Sequence, residues 1–279
     1  MNKKWFLFIW LVFFLFLFFF NARLLQRGVA NNDEGIYTTT FLLVSKGQLL
    51  YRQIFFSQPP DFFFSTYPGF ILFGKTVFAA RLTIFLWSLI GIIGIIWLAK
   101  EIGNIWVGLL GAYLLYAIPS YTNQIVTLQS DALVVVFSTL SLASFWRYKN
   151  TANVFWFIVG SVFFLVSFWT KLDVSLILPL AFLFWNIKNK ARLTFIFISV
   201  FFTVSAVFVL PFGLDAVWNS IIGLRNQAFS THPFDPLALF NYLKNDVVLF
   251  LVIVVSIFLF WKSKNSSVLF FWAVSILFL

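Results

Sequence analysis

Three acidic side chains stand where long apolar runs of the chain meet polar segments. Asp33 and Glu34 follow the first apolar run, and Asp131 begins a later one. A carboxylate in such a place can accept the proton of a hydroxyl group that attacks a substrate, which is general-base chemistry. Each has a structural alternative, because Asp33 or Asp131 can cap a helix and the helix dipole favours Glu34 in a first turn. We take Asp33 as the candidate base and the other two as further candidate catalytic residues.

The polar segments also hold cations that could bind a phosphate group. Arg52 and Arg225 lie in two long segments, and a guanidinium can grip a phosphate through two parallel hydrogen bonds. Both could equally bind the head groups of membrane lipids, and Arg52 could pair with Asp61. Lys171 lies in a short connection, where its alternatives are pairing with Asp173 or a place at the membrane interface. We expect Arg225 to bind the phosphate in preference to Arg52, with Lys171 third.

The chain has one histidine, His232, and no cysteine. The missing cysteines exclude disulfides, thiolate metal sites and cysteine nucleophiles. A lone histidine before a proline is more often a surface residue than a metal ligand. With Glu34 or Asp131 across a cavity, however, His232 could hold a divalent metal ion. Such an ion is the one cofactor that the sequence suggests.

The elements that position these side chains must be membrane helices. Of the 279 residues 62% are hydrophobic and only 10% are charged, whereas charged residues make up about a quarter of a soluble domain. The net charge of +10 is typical of cytoplasmic loops in so apolar a chain, and no basic cluster large enough for a nucleic-acid site occurs. There is no Walker loop and no Asp-x-Asp pattern for a nucleotide-sugar. We therefore predict a multi-pass membrane protein that contacts lipids and binds no nucleic acid.

Apolar runs of helix length predict eight membrane spans and the start of a ninth. The runs are approximately 5–20, 78–99, 105–118, 132–146, 154–169, 174–187, 193–210 and 247–261, and the last begins at 268. Lys, Trp and Asn at their ends can lie in the interface and extend runs shorter than ~20 residues. A cleaved signal peptide is the less favoured alternative for the first run, because Arg23 and Arg27 stand before the small residues 28–30.

The distribution of charge predicts the orientation. With the N-terminus in the cytoplasm, the inner connections are all short and basic, whereas the outer cations spread over long loops, where the positive-inside bias weakens. Eight of the nine acidic residues then lie outside, and only Glu101 lies inside. We therefore expect the active site on the extracytoplasmic face of the cell membrane.

Two long outer loops, residues 21–76 and 211–245, are predicted within a single transmembrane domain that covers residues 1–279. In the first loop, residues 31–33 offer helix N-caps and Gly47 is a stop signal. Between them three apolar residues repeat at helical spacing, namely Tyr37, Phe41 and Val44. This pattern predicts an interfacial helix that lies on the membrane. Pro59 and Pro60 stop any preceding helix and set the direction of the backbone.

In the order of its motifs the chain resembles the membrane glycosyltransferases of the GT-C fold, specifically the relatives of dolichyl-phosphate-mannose protein mannosyltransferase and aminoarabinose transferase. The matching residues are, in chain order, Asp33-Glu34, Tyr37, Gly47, Tyr51-Arg52, Gln58-Pro59-Pro60, Asp131 and Thr170-Lys171. Gln58 departs from the family pattern, which has a lysine before the two prolines.

The resemblance implies an all-helical membrane enzyme that transfers a sugar from a polyprenyl-phosphate donor to an extracytoplasmic protein, lipid or glycan. Asp33 would accept the proton of the acceptor. The substrates would be contacted by Tyr37, Arg52, Gln58 and Lys171 of the matching motifs. Arg225, which is no part of these motifs, is expected to contact them because of its guanidinium in the second long loop. Because Gln58 is neutral, the phosphate needs positive charge from another residue or from a metal ion.

Two further expectations concern the extent of the chain and other classes of function. The last apolar run is about half a span long, so we expect a chain that is C-terminally truncated relative to the family, as a shortened member or as a fragment. A flippase or exporter of lipid-linked sugars and a noncatalytic scaffold stay open as alternatives. A flippase would be expected to carry charges within its spans, whereas most charges here gather at one face.

Overall fold

Regular structure in the described part of the chain is helical. The computed structural model describes residues 3–172 and 189–223. The helices are Lys3–Leu24 (α1), Asn32–Ser45 (α2), Pro60–Leu72 (α3), Val77–Ile102 (α4), Ile105–Ala117 (α5), Pro119–Ile125 (α6), Asp131–Thr151 (α7), Val154–Lys171 (α8), Lys190–Val209 (α9) and Leu214–Trp218 (α10), followed by a π-helical turn, Asn219–Gly223. The predicted fold class, an all-helical polytopic membrane protein, is confirmed. The runs predicted as spans at 174–187 and 247–261 and from 268 lie outside the described residues.

Three of the described helices, α4, α8 and α9, are long and apolar enough to cross a membrane. A fourth crossing results if α5 and α6, which meet at an angle of 80°, form one broken span. The break lies before Pro119, whose ring cannot continue the preceding helix but suits the first turn of the next. The number of spans in the whole chain stays a prediction.

The α7 helix lies at the centre of the described helices. Every side chain of α7 from Ala132 to Trp146 is buried, which is typical of a helix covered by other helices on all sides. On one side Val136 packs against Gly91 of α4, where a Cβ atom would lie 2.9 Å from the valine side chain. This central position matters for the site because Asp131 is the first residue of α7.

The segment that joins α1 to α4 is folded. The α2 helix begins after Asn31, whose side chain accepts a hydrogen bond from the backbone N–H of Glu34 at 2.9 Å. Its end is followed by Gly47 with a φ of +93°, a conformation that favours glycine. Both ends of α2 therefore lie where the sequence places them.

The apolar stripe of α2 packs against protein. The rings of Tyr37 and Phe41 are buried and lie 5.2 and 6.4 Å from the ring of Phe62 on α3. Because α3 covers this stripe, the interfacial position of α2 stays a prediction. Any contact of α2 with lipid involves its other faces, where Ile36 is exposed.

The α3 helix itself is not among the predicted elements. The adjacent prolines indicate the end of a helix, but Pro60 occupies the first position of α3, where no intrahelical hydrogen bond is lost. The helix packs closely on α4 at Gly69, where a Cβ atom would lie 2.0 Å from the Thr83 hydroxyl. The first loop is thus attached firmly to a membrane helix.

Candidate active site

A fully buried ion pair joins Glu34 of α2 to Arg81 of α4, and both side chains are 0% exposed. The guanidinium meets the carboxylate as a fork, with Nε 2.7 Å from Oε1 and Nη2 2.5 Å from Oε2. The remaining N–H groups of Arg81 donate to the backbone carbonyls of Leu25, Arg27 and Gly28 at 2.6–3.0 Å. All five donors of the guanidinium therefore have acceptors, as a buried cation requires. We call Glu34 and Arg81 the closed pair.

The carboxylate of Glu34 is saturated as well. Its Oε1 also accepts the N–H of Leu128 at 3.0 Å, and its Oε2 accepts the N–H of Ala30 at 2.8 Å. Burial by itself raises the pKa of Glu34, but the hydrogen bonds from Arg81, Ala30 and Leu128 outweigh it and lower the pKa below its ordinary value. With four donors on its two oxygens, Glu34 has no position left for a substrate or a metal ion. This geometry fits a positioning role and not the catalytic role expected of Glu34.

Asp33, the neighbour of Glu34 in the sequence, is exposed. Because Asn31 is the N-cap of α2, Asp33 lies in the first turn without capping the helix, and the capping alternative is wrong for it. Its carboxylate lies near enough to the hydroxyl of Tyr37 to raise the pKa of that group, as does the carboxylate of Asp131. Both predicted acids therefore lie near the Tyr37 hydroxyl.

Tyr37 and Gln58 contact each other directly. Nε2 of Gln58 donates to the Tyr37 hydroxyl at 2.6 Å, and the backbone carbonyl of Gln58 accepts a hydrogen bond from the hydroxyl of Tyr51. Burial raises the pKa of Tyr37; the bond from Gln58 opposes this rise, and the charges of Asp33 and Asp131 add to it. The Tyr37 hydroxyl thus keeps its proton. In the described part of the chain Oε1 of Gln58 is buried without a hydrogen-bond partner.

Lys171, the last residue of α8, forms an ion pair with Asp131, the first residue of α7. Their side chains are 26% and 18% exposed, so the pair is accessible in part. Ser130 precedes α7 as its N-cap residue, and the capping alternative is wrong for Asp131 too. Five predicted site residues thus form one group, which we call the open cluster: Asp33, Tyr37, Gln58, Asp131 and Lys171.

Arg52 lies apart from the open cluster. Its Nε donates to the backbone carbonyl of Phe212 at 3.0 Å, and its side chain lines a groove of about 190 Å³ between α2, α3 and the turn after α9. No residue of the open cluster lines this groove. The expected pairing of Arg52 with Asp61 is wrong, because the carboxyl group of Asp61 is hydrogen-bonded to the hydroxyls of Ser65 and Thr170.

Two predicted site residues, Arg225 and His232, lie outside the described residues, because the second long loop is described only as far as residue 223. Within residues 3–172 and 189–223 no three His, Cys, Asp or Glu side chains are grouped so that they could hold a metal ion. The metal-binding role of His232 therefore stays a prediction.

Arg81 is a site residue that the sequence reasoning missed. It lies within the run 78–99 that predicts a span, and an ionisable residue inside a span commonly has a buried partner. The position of Arg81 in a span is the feature that could have identified it.

Comparisons with known proteins identify the family and the fold of the chain. The family described as dolichyl-phosphate-mannose-protein mannosyltransferase matches residues 57–214, which is more than half of the chain. The fold is similar to that of ArnT from Cupriavidus metallidurans in the apo state, with a TM-score of 0.60 and 18% identity over 98% of this chain and 59% of that one. The same protein bound to undecaprenyl phosphate gives a TM-score of 0.54 and 18% identity over 99% of this chain and 60% of that one.

The chain thus spans about three fifths of the length of the ArnT chains. No curated protein matches it. The family match covers α3 to α9 and includes Gln58, Arg81, Asp131 and Lys171. From this match and the shared fold, the chain belongs to the dolichyl-phosphate-mannose-protein mannosyltransferase family.

Proposed function

We propose that the protein is a membrane glycosyltransferase that moves a sugar from a polyprenyl-phosphate donor to a hydroxyl group of an extracytoplasmic protein, lipid or glycan. The acceptor oxygen attacks the anomeric carbon, the bond from that carbon to the phosphate oxygen breaks, and the acceptor proton passes to Asp33. Family membership supports the reaction class. The likeness to a structure bound to undecaprenyl phosphate supports the type of carrier.

The observation that carries this proposal is the contrast between two adjacent carboxylates. Glu34 is saturated by four donors, whereas Asp33 is exposed and lies near the hydroxyl of Tyr37. A general base must reach the proton that it accepts, and among these two only Asp33 is accessible.

Binding of the phosphate is assigned to the cation and the amide of the open cluster. Lys171 supplies charge while it is oriented by Asp131. Because the Tyr37 hydroxyl can donate as well as accept, a half-turn of the Gln58 amide lets Tyr37 donate to Oε1 and leaves Nε2 without an acceptor. A shift of the side chain out of its buried position then presents Nε2 to a phosphate oxygen. Arg225 remains a proposed second cation, while Arg52 is assigned to its separate groove.

A transfer assay tests this proposal. The full chain in lipid nanodiscs is incubated with a pool of polyprenyl-phosphate sugars and a pool of acceptors. Asp33→Asn is expected to lower the rate by about 10²–10⁴, the usual contribution of a general base. Asp33→Ala is expected to behave alike, since Asn31 provides the cap. Asp215→Asn, which removes an exposed carboxylate of α10, serves as the control and keeps the wild-type rate. Half of the wild-type rate in Asp33→Asn would contradict the assignment.

We also propose that the N-terminus is cytoplasmic and the open cluster extracytoplasmic. Asp131 and Arg147 are separated on α7 by roughly 24 Å, at 1.5 Å per residue, which approaches the thickness of a bilayer core. Arg147 binds Glu101 at 2.9 Å in a second polar group at the far end of α7. Since the chain has no native cysteine, Ser57→Cys and Ser230→Cys should be labelled from outside intact cells, whereas Asn189→Cys should not. The opposite labelling pattern would reverse the orientation.

A further inference from the structure

Asp61 is a buried carboxyl group for which no cationic partner occurs among the described residues. It lies in the first turn of α3, directly after Pro60, and is 3% exposed. The ion pairs within residues 3–172 and 189–223 involve other carboxylates. An ionised carboxylate is costly to bury without a cation, so burial favours the protonated form of Asp61.

The hydrogen-bond geometry around Asp61 accommodates a proton on its carboxyl group. The Thr170 hydroxyl lies 2.7 Å from Oδ2 of Asp61 and 2.8 Å from the backbone carbonyl of Val166, but it has one proton and can donate to one of them at a time. If Asp61 is protonated it donates to Thr170, and Thr170 donates to Val166. The Ser65 hydroxyl, 3.1 Å from Oδ1, donates to the other oxygen of the acid. Each of these polar groups then has a partner.

The charged and titratable groups on the elements packed against α3 do not offer Asp61 a cation. They are Asp33, Glu34 and Tyr37 on α2, Arg81, Lys100 and Glu101 on α4, Lys171 on α8, and Lys190 and Arg192 on α9, with Tyr67 on α3 itself. Arg81 is bound to Glu34 and Lys171 to Asp131. Lys100 lies at the far end of α4, and Lys190 and Arg192 begin α9, whose other end contacts α3 through Phe208.

Asp61 connects two parts of the open cluster. Three residues before it, Gln58 contacts Tyr37. Across the hydrogen bond, Thr170 directly precedes Lys171, which binds Asp131. The contact between Asp61 and Thr170 therefore ties the start of α3 to the end of α8.

We propose that Asp61 is a positioning residue that works as a neutral carboxylic acid, donating a hydrogen bond to Thr170 and so holding Lys171 in place against Asp131. This inference rests on the proposed function, because that reaction requires the open cluster to be assembled. Asp61 touches no reacting atom and acts through Thr170 alone.

The proposal makes both stability and transfer depend on pH. Burial raises the pKa of Asp61 to about 7, although the bonds from Thr170 and Ser65 oppose the rise. An unfolded aspartate has a pKa of about 3.9, so the folded chain holds this proton more tightly. The contribution of Asp61 to the free energy of unfolding therefore falls as the pH rises from about 4 to about 7, and is constant above that. Transfer that needs the proton falls about tenfold from about pH 6 to about pH 8.

Infrared spectroscopy on the full chain in nanodiscs tests the proton directly, without an assay of transfer. At about pH 5 the wild type should show the C=O stretch of a protonated acid, and this band should be lost above about pH 8 and absent in Asp61→Asn. Asp215→Asn is the control and should keep the band. A wild-type spectrum without a band that depends on Asp61 overturns the proposal. This result is independent of the proposed function, because the infrared band can be measured even if no transfer is detected.

A pH profile of transfer tests the positioning role. Asp61→Asn is neutral at every pH and can still donate to Thr170, so its rate should change less than about twofold over the range in which the wild-type rate falls about tenfold. Thr170→Val should lower the transfer rate about tenfold relative to the wild type. Thr170→Ser, which keeps the hydroxyl, should transfer at the wild-type rate. If Asp61→Asn retains the alkaline loss of the wild type, or if Thr170→Val transfers at the wild-type rate, the positioning role is wrong.

Discussion

The closed pair and the open cluster lie side by side and contain the same kinds of side chain, but their surroundings differ. In the closed pair, Glu34 and Arg81 are 0% exposed and every donor of the guanidinium has an acceptor. In the open cluster, Asp131 and Lys171 are partly exposed, and Oε1 of Gln58 has no partner among the described residues. A saturated ion pair can hold segments together but cannot bind anything further, whereas a partly unsatisfied group can take a ligand.

This difference in exposure separates residues with a structural role from residues proposed to react, even where they are adjacent in the sequence. The closed pair joins the segment before α2, the start of α4 and the segment before α7, and these lead directly to Asp33 and Asp131. The residues proposed to react therefore stand on a frame held by a buried and saturated ion pair. The predictions below test that division of roles.

The largest expected effect is on stability, from breaking the closed pair. Arg81→Met leaves Glu34 buried without its cation and should lower the free energy of unfolding by about 3–5 kcal/mol. Chemical denaturation in detergent micelles measures this loss. The control is Arg147→Met, since Arg147 also pairs with a carboxylate but is 41% exposed. That change should cost about 1 kcal/mol or less. Equal losses in the two variants would remove the distinction between the closed pair and a pair whose cation is exposed.

A smaller effect, on transfer and not on stability, is expected from breaking the ion pair of the open cluster. Lys171→Met should lower kcat/KM for transfer at least about tenfold, or ~1.4 kcal/mol, because a cation beside the leaving phosphate is lost. The free energy of unfolding should change by about 1 kcal/mol or less, since the pair is partly exposed. Asp131→Asn should likewise affect transfer more than stability. A loss of activity that merely follows a loss of folded protein would contradict the division of roles.

The smallest effect is expected from single hydroxyl groups around Gln58. Tyr37→Phe removes the acceptor of the Gln58 amide and should cost about 1 kcal/mol in unfolding free energy while it raises KM for the donor. Tyr51→Phe removes a hydrogen bond to the backbone carbonyl of the same residue, and it should cost a similar amount with KM unchanged. Comparison of the two variants shows whether the orientation of the Gln58 amide matters for binding of the donor. An unchanged KM in Tyr37→Phe would remove Gln58 from the phosphate site.

Much of the local structure could be predicted from the sequence, because it depends on near neighbours. The cap at Asn31 and the stop at Gly47 bound α2 as expected, since both act through hydrogen bonds over a few residues. The α3 helix could not be predicted in the same way, because a pair of prolines can either end one helix or begin the next. Packing of α3 on α2 then placed the stripe of Tyr37 and Phe41 inside protein.

The sequence by itself determined that this is a helical membrane protein, because composition and the length of apolar runs depend on no tertiary contact. It also identified the residues of the open cluster, whose residue types and order along the chain are visible without a fold. Only the tertiary structure decided that the carboxylate of Glu34 is buried and saturated whereas Asp33 is exposed. The physical reason is that saturation of a carboxylate depends on donors that lie 47 and 94 residues away, in Arg81 and Leu128. Two adjacent acidic residues become different because distant backbone and side-chain donors reach only one of them.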